Sequence, residues 1–205
     1  MSLYLGDIKQ QGSVNYTAIG SPTITDGIVS GFSSSNYLRT SANFSPSGPF
    51  EMVCTFTLPG TAPSSTLPKL LIGSNGRNGF DLYCPSSTIR YAHAYIKLSN
   101  NSDAGIWVSS VNLQLGQTYT SRLIFDGGVY TLELWQNGVK LGSVNYLSTL
   151  LPAGGYPICI GSIGEDSYFT GSIDLNNTYI KENGQPWFGN CLLAPAGKYA
   201  VTYKN

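Results

Sequence analysis

The chain has 205 residues, with 11 basic and 11 acidic side chains, one histidine and 41% hydrophobic content. With no clustered Lys and Arg, there is no broad attraction for phosphate backbones or anionic lipid, which excludes nucleic acid as the expected partner. The start, Met1-Ser2-Leu3-Tyr4-Leu5-Gly6-Asp7, lacks a basic stretch leading into an apolar one, and no apolar run approaches the ~20 residues of a membrane span; neither a Sec signal nor membrane insertion is expected.

Helical periodicity is almost absent. Short stretches instead alternate apolar and polar residues between Gly, Pro, Asn and Asp, which predicts half-buried antiparallel strands. In chain order these are Ser2–Ile8, Gly27–Phe32, Tyr37–Thr40, Phe50–Leu58, Lys69–Ser74, Gly79–Tyr83 and Ile89–Leu98, followed by Gly105–Val111, Thr118–Phe125, Val129–Gln136, Lys140–Tyr146, Ile158–Ser162 and Thr170–Lys181. Asp126-Gly127-Gly128 and Gln136-Asn137-Gly138 read as hairpin turns that join three of them into a meander. Pro59 to Pro68 reads as an exposed loop, because strands continue on both sides.

So many short strands pack most economically as an all-β, two-sheet antiparallel β-sandwich. We expect one domain over 1–205, with 1–26 as an N-terminal strand and loop and 188–205 as a C-terminal extension packed on it. Cys54, Cys84, Cys159 and Cys191 are far apart and form no Cys-x-x-Cys pair, so a zinc site is not expected. Free thiols are the expectation, with two bridges as the alternative should the chain mature outside a cell. Cys54 alternates with Met52, Phe56 and Leu58, which places it on a buried strand face.

Gly31-Phe-Ser-Ser-Ser-Asn-Tyr-Leu38, Phe50-Glu-Met-Val-Cys-Thr-Phe56, Leu123-Ile-Phe-Asp-Gly-Gly-Val-Tyr-Thr-Leu132 and the closing segment Phe169 to Trp187 together resemble a laminin-G-like or concanavalin-A-like jelly roll. Among these, the chain is most similar to versions found in bacteriophage tail and other virion proteins. The resemblance covers about Gly27 to Trp187 and implies two curved antiparallel sheets. It also implies a role in glycan binding, adhesion, polysaccharide hydrolysis or structure, among which fold alone does not choose. The phage versions imply a virion location after assembly in a host cytoplasm, with other virion proteins or further copies of the chain as partners. Laminin-G-like domains often hold calcium at a rim, which makes Asp103, Asp166 and Asp174 the candidate ligands, with solvated loop aspartates as the plainer alternative. No other cofactor is expected.

Glycan hydrolysis needs two carboxylates roughly 5–10 Å apart. The hydrolases of this resemblance group commonly place them on one strand, whereas Glu133 has no second carboxylate in its strand and the chain holds four Glu in all. A pair drawn from distant strands, Glu51 with Glu133, is the remaining arrangement, against which both are read as solvated outward residues. His93, the lone histidine, has no nucleophile motif around it and reads as a strand-surface residue. Gly73 to Gly79 lacks the Lys-Ser/Thr ending of a phosphate loop and reads as a turn.

Strand parity carries the functional hint. Ala92, Ala94, Ile96 and Leu98 share one face and Tyr91, His93, Tyr95 and Lys97 the other; Ile106 and Val108 turn in and Trp107 out; Tyr130, Leu132 and Leu134 turn in and Glu133 and Trp135 out. Outward aromatics stack against the C–H faces of sugar rings, so Tyr91, His93, Tyr95, Trp107, Glu133 and Trp135 are the candidate glycan-binding residues. Cover by a loop or a partner subunit explains outward aromatics equally well. The expectation is a non-catalytic virion or tail-associated structural or adhesion module that binds glycans or bacterial surface polysaccharide. A bacterial carbohydrate-binding or glycan-cleaving protein of the same fold is the alternative.

Overall fold

The structure, a computed structural model, describes residues 9–62, 69–74, 78–84, 90–164 and 168–192. Among them are sixteen strands and no helix, arranged in two antiparallel sheets. The larger sheet has nine strands. Its main path runs β1 (Lys9–Gln11), β16 (Gln185–Leu192), β15 (Ser172–Glu182), β6 (Phe50–Thr57), β11 (Thr118–Phe125), β12 (Val129–Gln136) and β13 (Val139–Leu147), with β4 (Ile28–Ser30) joined to β15 and β3 (Thr23–Thr25) to β4. The smaller sheet runs β10 (Asp103–Val108), β9 (Tyr91–Lys97), β8 (Gly79–Tyr83), β7 (Lys69–Ser74), β14 (Tyr156–Ile160), β5 (Tyr37–Phe44) and β2 (Tyr16–Ile19).

The inner faces close on a continuous core. In β11, Tyr119, Ser121, Leu123 and Phe125 are buried while Thr118, Thr120, Arg122 and Ile124 face out, and β10 buries Ala104, Ile106 and Val108 in the same way. Phe56 lies 6.1 Å from Tyr119 and 6.2 Å from Phe169, and Phe125 stacks on Tyr130 at 4.5 Å. Tyr130 donates its hydroxyl to the Leu150 carbonyl at 2.7 Å, which satisfies its one polar atom. Each such ring contributes about 1.5–3 kcal/mol by leaving water. Cys54, Cys84 and Cys159 are buried, Cys54 and Cys159 as free thiols, and Cys54 lies on the core face as expected.

Three two-residue turns share one geometry. Asp26-Gly27, Asn137-Gly138 and Asn183-Gly184 all have positive φ at both residues, the type I′ arrangement whose twist matches a hairpin. They join β3 to β4, β12 to β13 and β15 to β16. The middle one is the hairpin turn expected at Gln136-Asn137-Gly138, and the outer two carry the same Asx-Gly signal. β2 and β3 were not anticipated within the expected N-terminal loop, and the expected C-terminal extension begins as β16, where Pro186 and Gly189 hide the strand pattern. The predicted strand Ser2–Ile8 lies outside the described residues.

Candidate functional site

Adjacent strands β8, β9 and β10 place one row of side chains outward on the smaller sheet. Antiparallel register sets Asp81 opposite His93 and His93 opposite Trp107; the next row pairs Tyr83 with Tyr91, and on the other side Tyr95 lies between Gly79 and Gly105. The structure thus brings together Tyr91, His93, Tyr95 and Trp107, and adds Tyr83 and Asp81, to which the sequence reading gave no role. Tyr83 and Trp107 come from strands separated by β9, yet their ring centroids are 6.5 Å apart, and each lies 5.9 Å from the His93 ring. They lean together over the histidine. His93 is therefore only 8% exposed although it points away from the core, while Tyr83 and Trp107 remain 40% and 47% exposed.

Gly105 makes room for this arrangement. A Cβ there would lie 3.2 Å from His93 Nε2, closer than side chains usually approach, and 3.4 Å from the Trp107 ring, in contact with it, so the ring nitrogen would have to give way. Asp81 braces the centre from the other side, with Oδ1 2.7 Å from His93 Nδ1. Burial raises the Asp81 carboxyl above its usual range, and the hydrogen bond and charge of His93 only partly offset that. When Asp81 is ionised, the neutral imidazole that donates to it from Nδ1 leaves Nε2 as an acceptor toward Gly105 and the ring platform. Lys97 and Asp103 close the end of the face with an ion pair at 3.2 Å.

Glu133 and Trp135 are elsewhere. They lie on the outer face of the larger sheet, across the core from the aromatic platform, so the six candidate residues form two separate surfaces. Nor is Glu133 solvated: it and Glu51 are members of an ion-pair ladder that crosses five neighbouring strands. Lys181 on β15 contacts Glu51 on β6 at 3.4 Å, Glu51 accepts from Arg122 on β11 at 2.8 Å, Arg122 donates to Glu133 on β12 at 3.2 Å, and Glu133 meets Lys140 on β13 at 3.2 Å. The Tyr179 hydroxyl donates to Glu51 at 2.9 Å and the Trp135 indole N–H to Glu133 at 3.1 Å. Burial alone would raise both carboxyls. The surrounding cations and donors outweigh it and hold Glu51 and Glu133 below the usual carboxylate range, while Arg122 is raised above its own.

A bulge completes the ladder. Leu134 pairs with Gly142 but Trp135 with Lys140, so one extra residue on β13 flips the local face. Leu141 then packs against the core, and Lys140 reaches Glu133. A larger irregularity interrupts β15: Asp174 pairs with Thr55 and Tyr179 with Val53, five steps against two, which leaves Asn176 and Asn177 projecting into solvent.

The three calcium candidates do not converge. Asp103 is on the smaller sheet, paired with Lys97; Asp174 is on the larger, accepting from Asn176 N–H at 2.9 Å and the Asn177 amide at 2.7 Å; Asp166 lies outside the described residues. Among the described residues no group of three or more His, Cys, Asp or Glu side chains is placed to hold a metal ion.

No protein-family model and no curated protein sequence matches the chain. Solved structures do. The chain superposes on the enzymatically active domain of bacteriophage CBA120 tailspike protein 2 with a TM-score of 0.60 at 8% identity, covering 90% of this chain and 34% of that one. The fold is a two-sheet jelly-roll sandwich. This jelly roll is also similar to domain 4 of the Geobacillus stearothermophilus arabinanase AbnA, solved with arabinotriose, at a TM-score of 0.53 and 14% identity, covering 88% and 84% of the two chains. A legume lectin-like domain from Entamoeba histolytica matches with a TM-score of 0.53 at 10% identity, covering 82% and 90%. The chain spans about a third of the tailspike chain, and at these identities the likeness speaks to fold alone.

Proposed function

We propose that the chain is a non-catalytic glycan-binding module of the laminin-G-like or concanavalin-A-like kind, carried on a phage virion or tail and directed at bacterial surface polysaccharide. The observation that carries this reading is the pair of exposed rings, Tyr83 and Trp107, converging over a histidine braced by Asp81. Such a platform offers two aromatic faces to pyranose C–H groups, and His93 Nε2 beside them can accept from a sugar hydroxyl. An arabinotriose-bound domain and a tailspike domain among the similar structures add support at the level of fold. The buried free thiols of Cys54 and Cys159 suit assembly in a reducing cytoplasm.

The non-catalytic part rests on Glu51 and Glu133. A glycosidase needs one carboxyl kept protonated as a general acid, which calls for a raised value. Both are lowered instead, with every carboxylate oxygen already engaged by a cation or a hydrogen-bond donor. The test is a glycan array, extended with polysaccharides extracted from bacterial surfaces, probed with wild type, Trp107→Ala and Tyr83→Ala. Binding by wild type that falls at least about tenfold, or 1.4 kcal/mol, in both folded variants supports the reading. Undiminished binding in the variants refutes the platform, and polysaccharide turnover abolished by Glu133→Gln refutes the non-catalytic assignment.

A further inference from the structure

We propose that the larger sheet carries a second, independent binding site, a groove that takes a carboxylate-bearing saccharide. The groove encloses about 420 Å³ on the outer face, a volume suited to one or two sugar rings. Val53, Thr55 and Thr120 form its floor, Trp135 and the Asn137-Gly138 turn one wall, and Asn177 and Tyr179 the other. The walls stand up because of the two strand irregularities: the bulge opposite Trp135 and the projecting Asn176-Asn177 segment of β15. Its floor is prepaired, with Thr55 and Thr120 hydroxyls 2.8 Å apart and Thr55 donating to the Asn177 carbonyl at 3.1 Å.

Charge and hydrogen-bond valence select the ligand class. The ladder beside the groove holds three cations and two carboxylates, and the carboxylate oxygens are occupied from both sides. Of the two acids on β15, Asp174 is engaged by Asn176 and Asn177 and Glu182 by Ser47, and neither lines the groove. Arg122 does line it. Its Nε and Nη1 donate to Glu51 and Glu133, which fixes the guanidinium plane, and its side chain stays 37% exposed with Nη2 directed to neither carboxylate. A rigid guanidinium with spare donors next to saturated acceptors favours an incoming carboxylate, which can meet a fixed fork at little entropic cost. The Trp135 ring and the amides of Gln136 and Asn137 then serve the sugar ring and its hydroxyls.

The Trp135 indole N–H, held on Glu133, reports on this groove without a label on the ligand. In ¹⁵N-labelled protein, trigalacturonate and 3′-sialyllactose are titrated beside methyl-esterified trigalacturonate and lactose. The expected result is that at least one acid moves the Trp135 indole resonance at a concentration at least about tenfold below its uncharged counterpart, weakens with added salt, and leaves Trp107 in place. Which acid acts identifies the uronate or sialate source. Folded Arg122→Lys, which keeps the charge and loses the fork, weakens the acid at least about tenfold; Asn137→Gly, which keeps the turn and removes one amide, weakens it about fivefold. Equal response to acid and ester, an unmoved Trp135 with every probe, or full affinity in both variants overturns the proposal. Since the platform reading concerns Trp107 on the opposite face, either can fail alone.

Discussion

Replacing Arg122 with Gln tests whether the five-strand ladder is one electrostatic unit. Removing one partner of a buried ion pair costs roughly 3–5 kcal/mol when the other is left unpaired. Here two carboxylates, with side chains 16% and 10% exposed, lose their shared partner, but each keeps a lysine and a neutral donor, and Arg122 itself is 37% exposed and so partly screened. The discounted cost is about 2 kcal/mol at neutral pH, which for a domain of this length lowers Tm by about 4–8 °C. The pH dependence is the sharper signature. Glu51 and Glu133 have lowered values in the folded state, so their contribution is fully present above the ordinary carboxyl value of about 4.3 and is lost as pH falls through the lower folded values. The variant has less depression to lose, so its stability deficit narrows from pH 7 toward about pH 3. Urea denaturation across that range measures it, and a deficit that stays constant with pH, or one below about 0.5 kcal/mol at pH 7, refutes the ladder as described.

Asp81→Asn keeps an acceptor for His93 while removing a buried ionisation that is penalised as pH rises through the raised folded value; the variant therefore gains on wild type between about pH 4 and pH 7, and a loss over that interval in urea melts contradicts the assignment. Gly27→Ala meets both a positive φ of 80° and the Asn176 amide, whereas Gly184→Ala meets a φ of 75° in open space. The first costs about 2 kcal/mol or more and the second about 1, so equal urea midpoints would refute the packing of Asn176. Burial pushes the Cys54 thiol up and the Cys159 thiol to about 11, so these two resist alkylation at pH 8 until the chain unfolds; mass-spectrometric labelling of either in the native protein at peptide-like rates would contradict it.

The sequence made local facts legible and left spatial ones hidden. Alternation identified the inward faces of β9, β10 and β12 because a side-chain period of two depends only on the strand itself. It could not say which sheet each strand joins. Trp107 and Trp135 are both outward, yet pairing with β9 in one case and β11 in the other puts them on opposite sides of the molecule. The partners that give each site its chemistry come from the same long-range pairing. Asp81 reaches His93 from β8, and Arg122 joins Glu51 to Glu133 only because β11 lies between β6 and β12. Tyr83 is the last residue of a readable strand and acquires meaning only by leaning across β9. The bulges at Leu134–Trp135 and Asp174–Tyr179 break the alternation that sequence reading relies on, and they shape the groove.

The most direct test of glycan binding at the platform is the indole region of a ¹H–¹⁵N spectrum, because the chain's three tryptophans occupy three different settings. Trp107 is on the platform, Trp135 in the groove, and Trp187 against Phe44 at 4.9 Å. Titration with a neutral oligosaccharide that scores on the array should shift the Trp107 indole resonance in a saturable way and leave Trp135 and Trp187 unmoved. A bound oligosaccharide that leaves Trp107 unmoved would contradict the account.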